Sequence, residues 1–444
     1  MRAQTRLESG ARRFATRRLV HALVHRQAVM NTEPVRAQSL SLLASWGVAV
    51  LMVAAGAVIG TLSPAGGLGQ AAAVRVRDTG ALFVRIDQTW HPVPNLASAR
   101  LVARSAITPK DIKAGALAGA RRGPQLGIPG APDIGAPLSI SSWLVCDSGT
   151  TALRVSAQPE GAPAADRPML ATAAGEGHAV TYLLYDGGRA EIDLRNIALV
   201  RALRLDGVAA RPVSWAVLDL LPERADIAVP QIDGLGRPGP HGFLIGQVLR
   251  VVRAGGAEHY VVLAAGAQRI GEVAADLIRF AHRIGGGEIS TATPDVISGM
   301  GVVNTLAVQG LPQRTAQAAD GAVCARWKSD TGAALVAGVG EPGGTPLAQA
   351  DGNGPLIDTV AMPAGHSALL TVAAEPDGEP AAGPLYLLSD TGVLYGVADR
   401  QAAQALGLNE SAAPAPWPLL AQLPRGPELS IEAALVLRDG SAAP

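Results

Sequence analysis

Lysine is nearly missing from this sequence: of 444 residues, only Lys110, Lys113 and Lys328 are lysines, and they follow Pro109, Ile112 and Trp327. A P-loop needs a lysine directly after glycine, because the lysine reaches phosphates that backbone amides cradle. Nucleotide hydrolysis by that device is excluded. No G-x-G-x-x-G stands in a strand–turn–helix setting, HExxH is absent, and the eight histidines are scattered. A dinucleotide site and a zinc hydrolase therefore have no support. Aromatic residues make up 3% and charged residues 17%, and there are two cysteines. Basic and acidic residues balance at 37 each, which argues against a protein that coats nucleic-acid phosphates. Apolar residues reach 48% with no dominant short period, so collagen, a coiled coil and wholesale disorder are excluded too.

Charge is also absent over one long stretch. Between Arg36 and Arg75 no charged residue occurs, and within that gap Leu40–Leu62 is uncharged and mostly apolar. About 20 such residues in a helix cross a hydrocarbon core, so this stretch is a membrane-span candidate. A cleaved signal peptide would place a shorter apolar core nearer the N-terminus. The zero net charge hides an asymmetry: residues 1–36 hold eight arginines and two acids, leaving the remainder net negative. The positive-inside rule then puts the Arg-rich flank in the cytoplasm and everything after Leu62 outside, with Trp46 near the cytoplasmic interface. The segment Arg12–Met30 has helix-forming composition. Leu19, Val20, Leu23 and Val24 fall on one side, opposite Arg18, His21 and His25. A helix on anionic lipid and a docking helix for a cytoplasmic partner both fit this pattern.

Both cysteines, Cys146 and Cys324, lie in the part expected outside. In an oxidising compartment two such residues normally pair; two separate buried thiols are the alternative. Pairing would tie two regions distant in sequence into one body.

The exported part is self-similar. RDTGALFVRI (77–86), YLLYDGGRAEIDL (182–194), YVVLAAGAQRIGEV (260–273) and YLLSDTGVLYGV (386–397) each combine an apolar strand, a turn and a second strand or helix. Helical stretches follow them at 95–102, 197–205, 274–280 and 400–408. RGPQLGI (122–128) and RGPELSI (425–431) recur after the first and last copies, with a weaker LPERADIAV (221–229) after the second. A hairpin-plus-helix module repeated four times accounts for this order. Ser142–Cys146 and Ser367–Val372 alternate like strands of a central β element. The Asp-Thr-Gly triplets at 78–80, 330–332 and 390–392 could supply paired carboxylates of an aspartic protease. Sister copies replace the Asp, so the triplets read as turns in which glycine supplies positive φ. No catalytic, cofactor-binding or metal-ligating residue is singled out.

The chain resembles the EccB family of type VII (ESX) secretion. The resemblance rests on the basic helix before a single span and on TGALFVRIDQTWHPVPNLASARLV (79–102). RGPQLGIPGAP (122–132), WLVCD (143–147) and VCARW (323–327) add to it, with Phe83 standing where the family suggests tyrosine. The resemblance implies an α+β fold: one N-terminal transmembrane helix, then an elongated periplasmic region of four small α/β repeat modules around a β-rich central domain. The expected divisions are a cytoplasmic helix (1–38), span (39–62), linker (63–76) and modules at 77–130, 181–240, 241–295 and 385–444. The central domain takes 131–180 and 296–384.

It further implies a structural core subunit of the secretion membrane complex, single-pass in the inner membrane with its bulk periplasmic. Its partners would be EccC-, EccD- and EccE-like subunits, a mycosin protease, membrane lipid and further copies of itself, with the cell wall a further candidate. No nucleic acid and no cofactor are expected. An ATPase label is attached to the family, but nothing in the sequence supplies the phosphate-binding apparatus. A membrane-anchored envelope hydrolase and a peptidoglycan-binding module are the alternative readings.

Overall fold

The computed structural model describes residues 2–26, 44–54, 68–158, 161, 163–165, 167–175, 180–317, 321–337, 339–340, 342–373 and 383–438. The chain divides into two compact units, Met1–Gly69 with Asp111–Ala118, and Gln70–Lys110 with Gly119–Pro444. The first unit holds a helix, Arg2–His25, a second helix over residues 44–54, and the 3-10 turn Ala114–Leu117. Every residue of 44–54 is exposed although none is charged. Among the described residues no helix is long and apolar enough to cross a membrane. The rest of the expected span, residues 40–43 and 55–62, lies outside the described residues.

In the second unit, four small sheets follow one plan. The second sheet shows it in full. Met169–Ala173, Thr181–Tyr185 and Gly188–Glu191 form an antiparallel meander, and helix Ile197–Leu203 follows. Strand Arg211–Val213 then returns parallel to Met169–Ala173. After a short helix, Trp215–Leu220, the chain runs parallel along the third strand, with Glu223 bridging Arg189. The third sheet repeats this with Val248–Arg253, Gly256–Leu263, Gly266–Ile270, helix Glu272–His282, Ser290–Thr291 and helix Pro294–Met300. The fourth does so with His366–Val372, Leu385–Ser389, Leu394–Val397, helix Arg400–Leu406, Ala413–Ala415 and helix Trp417–Ala421. In the first sheet, Ala73–Val76, Leu82–Ile86 and Thr89–Val93 precede helix Leu96–Ala103, and Arg121–Arg122 runs parallel to the third strand. A parallel return needs a crossover connection, which is the work of each helix.

The helices sit where the sequence starts and stops them. Asn95, Asn196 and Asp399 accept backbone N–H bonds at three N-caps. All four helices end on a left-handed residue: Arg104, Arg204, Arg283 and Gly407. They pack in pairs. Leu96–Ala103 meets Arg400–Leu406 through Ala97, Leu101, Ala402, Ala403 and Leu406 in one core, and Ile197–Leu203 meets Glu272–His282 in another. Alanines in these faces allow close approach while still removing apolar area from water.

A six-stranded sheet lies at the centre, in the order Gly332–Val336, Val323–Lys328, Ser142–Asp147, Thr151–Ser156, Thr359–Ala361, Thr345–Pro346. The short helices Trp215–Leu220 and Trp417–Ala421 pack on each other and share its core.

Three expectations need correction. Met169–Ala173 and His366–Val372, which the sequence reading gives to the central domain, are opening strands of the second and fourth sheets. Ala73–Val76, read as linker, opens the first. Each is separated from its hairpin by a connection, so a repeat search anchored on the hairpin cuts one strand too late. The alignment of the first copy also shifts by one turn. Asp78–Gly80 joins the first and second strands of its sheet, whereas Asp390–Gly392 joins the second and third. The true counterpart is the turn at Asp87, with φ +53°.

Candidate functional site

Cys146 and Cys324 face each other on neighbouring antiparallel strands of the central sheet, with Trp143 opposite Trp327 in the same register. They are joined by a disulfide with Cα atoms 4.1 Å apart, and neither is accessible. That spacing suits a non-hydrogen-bonded pair, where side chains approach most closely. Strand alternation sends Trp143 and Val145 into the core shared with the short helices, and Leu144 and Cys146 to the other face. The bond closes 178 residues of sequence, a span that contains the second and third small sheets entirely.

Beside it, two buried carboxylates hold the turn between Ser142–Asp147 and Thr151–Ser156. Asp147 Oδ2 accepts from the Ser214 amide at 2.7 Å, and Oδ1 accepts from Gly149 N–H at 3.2 Å. Ser214 is the N-cap residue of Trp215–Leu220, so Asp147 fastens that helix to the central sheet. Asp358 Oδ2 accepts from Thr151 N–H at 2.7 Å, and Oδ1 from Asp351 and Gly352 N–H at 2.8 and 2.7 Å. Burial of a carboxylate is tolerated when its lone pairs are filled this way. The sequence reading singled out neither Asp147 nor Asp358; the one available signal was the Asp directly after Cys146.

The recurrent RGP segments have a shared contact. The Arg122 guanidinium lies 5.8 Å from the Phe83 ring centroid. Arg425 lies 5.5 Å from Tyr386 and 5.4 Å from Trp417, so one cation bridges two rings. Pro424 O and Leu394 O tie the same segment to the third strand of the fourth sheet.

The Asp-Thr-Gly triplets act as turns. Gly80, Gly332 and Gly392 take φ of +70°, +69° and +81°, and the Asp390 carboxylate accepts from Gly365 N–H. Two carboxylates elsewhere, the exposed Asp193 and the half-buried Glu258, have their pKa lowered. A hydrogen bond from Arg195 lowers Asp193, and one from Arg253, helped by Tyr260 and Arg269, lowers Glu258. Both are held as anions, the opposite of what a general acid requires. A cavity of about 650 Å³ opens beside Asp147, between loops at Ser148, Gly149, Gly175 and Gly352 and strand residues Thr172 and Arg211. Among the described residues no group of three or more His, Cys, Asp or Glu is placed to hold a metal.

A family model described as "Type VII secretion system ESX-1, transport TM domain B" matches residues 1–443. The chain belongs to the EccB family. It is 30% identical over 478 residues to the ESX-5 secretion system ATPase EccB5 of Mycobacterium tuberculosis, covering 98% of this chain and 94% of that protein. It is 32% identical over 476 residues to the ESX-2 secretion system ATPase EccB2 of the same organism, covering 96% and 93%. Among solved structures, it is similar to a chain of an intact ESX-5 inner membrane complex, with TM-score 0.71, 28% identity and coverage of 99% and 96%. It is also similar to the EccB3 dimer from the ESX-3 core complex, with TM-score 0.69, 30% identity and coverage of 82% and 100%. The fold is thus the mixed α/β fold of EccB chains.

Proposed function

We propose that this chain is a structural core subunit of a type VII secretion membrane complex and builds its periplasmic part. The observation that carries the reading is the whole-length likeness, in sequence and in fold, to chains of ESX inner membrane complexes. The anchor is a single span over residues 39–62, with the N-terminus cytoplasmic and the bulk of the chain periplasmic. Residues 44–54 support this: they are helical, uncharged and exposed throughout, a surface that water does not favour and lipid does. The disulfide supports the oxidising side for the rest. Four repeat modules around the stapled central sheet, extended at their starts to include the strands described above, would offer several modest interfaces. EccC-, EccD- and EccE-like subunits, a mycosin protease and further copies of this chain would occupy them, with peptidoglycan a further candidate.

Gentle detergent extraction of the tagged chain from its own host, followed by native mass measurement and cryo-EM, tests the reading. Recovery in a megadalton particle with EccC-, EccD- and EccE-like proteins is expected. Recovery as a monomer without membrane partners would overturn it and turn attention to hydrolase activity in the exported part.

A further inference from the structure

We propose that one face of the helix Arg2–His25 seats on an anionic lipid leaflet, guanidiniums on the phosphates and aliphatic side chains in the acyl boundary. This rests on the anchored topology proposed above. A helix advances about 100° per residue, so positions spaced by four, three and four share a stripe. Arg13, Arg17, Val20 and Val24 have that spacing, and Arg2 and Arg6 continue it towards the N-terminus. The stripe is graded. Its N-terminal part is cationic, while its C-terminal part is branched aliphatic and widens on one side through Leu23 towards Leu19.

Arg13, Arg17 and all four aliphatic residues are exposed, Leu23 to 73% and Val24 to 69%. The side opposite that stripe carries Ala11, Ala15, Arg18 and Ala22. A leaflet presents the same gradient in depth, phosphate above hydrocarbon. A helix tilted so that its C-terminal half dips in would match both parts at once. That half also leads towards the anchoring segment. The helix has arginines against Glu8 as its one acid, so the charge complement must be anionic. An acidic protein groove would satisfy the arginines, but a cluster of four exposed aliphatic residues beyond them is what acyl chains cover.

The full-length chain is reconstituted in nanodiscs of phosphatidylcholine, with or without phosphatidylglycerol. An environment-sensitive fluorophore is placed through Val20→Cys or Val24→Cys, and through Ala11→Cys or Ala15→Cys as opposite-face controls. The native cysteines are buried in their disulfide and do not take the label. Lipid-borne quenchers should quench positions 20 and 24 in anionic discs and leave 11 and 15 in water. Combining Arg13→Ala with Arg17→Ala should weaken that contact about twenty-five-fold, at roughly a factor of five per guanidinium. Phe14→Ala, about a quarter-turn off the stripe, should change nothing. Unquenched labels at 20 and 24 in discs that do contain the protein would overturn the proposal and leave the anchor intact. Equal quenching in neutral discs would overturn its electrostatic half. Failure to enter discs at all would overturn the anchored topology, and this proposal with it.

Discussion

At the residue scale, the helix ends are the most direct place to read conformational cost. Arg104 closes helix Leu96–Ala103 at φ +52°, while Gly407 closes the paired helix at φ +90°. A side chain in that region costs about 1 kcal/mol relative to glycine. Arg104→Gly should therefore stabilise the fold by about 1 kcal/mol, and Gly407→Ala should destabilise it by a similar amount. A Cβ at 407 would also come within 3.4 Å of Ala106. Denaturant melts of the two variants check the sign, and a destabilised Arg104→Gly would remove the argument. Asp147 makes a larger claim. Asp147→Ala strands the buried Ser214 amide and the Gly149 amide, an expected cost of about 2–4 kcal/mol. Asp147→Asn keeps one accepting oxygen and should lose about half of that. Equal losses for both would mean that negative charge matters here and the two-amide geometry does not.

At the scale of elements, the disulfide acts on the central sheet without creating it. Val323–Lys328 and Ser142–Asp147 are already registered over five residue pairs, so the ladder survives if the bond is removed. The bond constrains the unfolded chain over a long loop, and its loss should cost about 2–5 kcal/mol. The combined Cys146→Ala and Cys324→Ala variant should thus keep its far-UV spectrum while its Tm falls, and reductant should shift the wild type but not the variant. Lost strand signal at low temperature would show instead that the bond sets the register.

The sequence made much of this legible. Asn95, Asn196 and Asp399 flag their helices as caps, and YLLYDGG and YLLSDTG flag hairpins through alternating apolar residues and turn chemistry. The opening strands are not legible in this way, because strands such as His366–Val372 carry no local mark of which sheet they join. That choice is made by a partner across a connection. Asp147 and Asp358 are illegible for a related reason: an acid beside a polar turn reads as solvated until the fold buries it against backbone amides from 67 and 207 residues away.

At the scale of the whole folded region, sequence distance and mechanical proximity part company. The first small sheet and the fourth lie at opposite ends of the second unit's sequence, yet their helices share one core. Arg100 Nη1 donates to Leu406 O at 2.8 Å across 306 residues, and Arg100 Nε donates to Ile107 O. A part-buried guanidinium on the last carbonyl of a neighbouring helix is favoured both as a charged hydrogen bond and by the helix dipole. The two helices should accordingly open together. Hydrogen exchange followed by mass spectrometry would report amides of Leu96–Ala103 and Arg400–Leu406 exchanging with one free energy. Arg100→Leu should accelerate both segments by about the same factor, at a cost of about 2 kcal/mol. The pair Ile197–Leu203 and Glu272–His282, which has its own core, should be untouched by the substitution. Acceleration confined to the helix that carries residue 100 would mean that the ends of the chain only rest against each other. Joint acceleration would mean that they close the fold as one cooperative element, so a truncation at either end would loosen both.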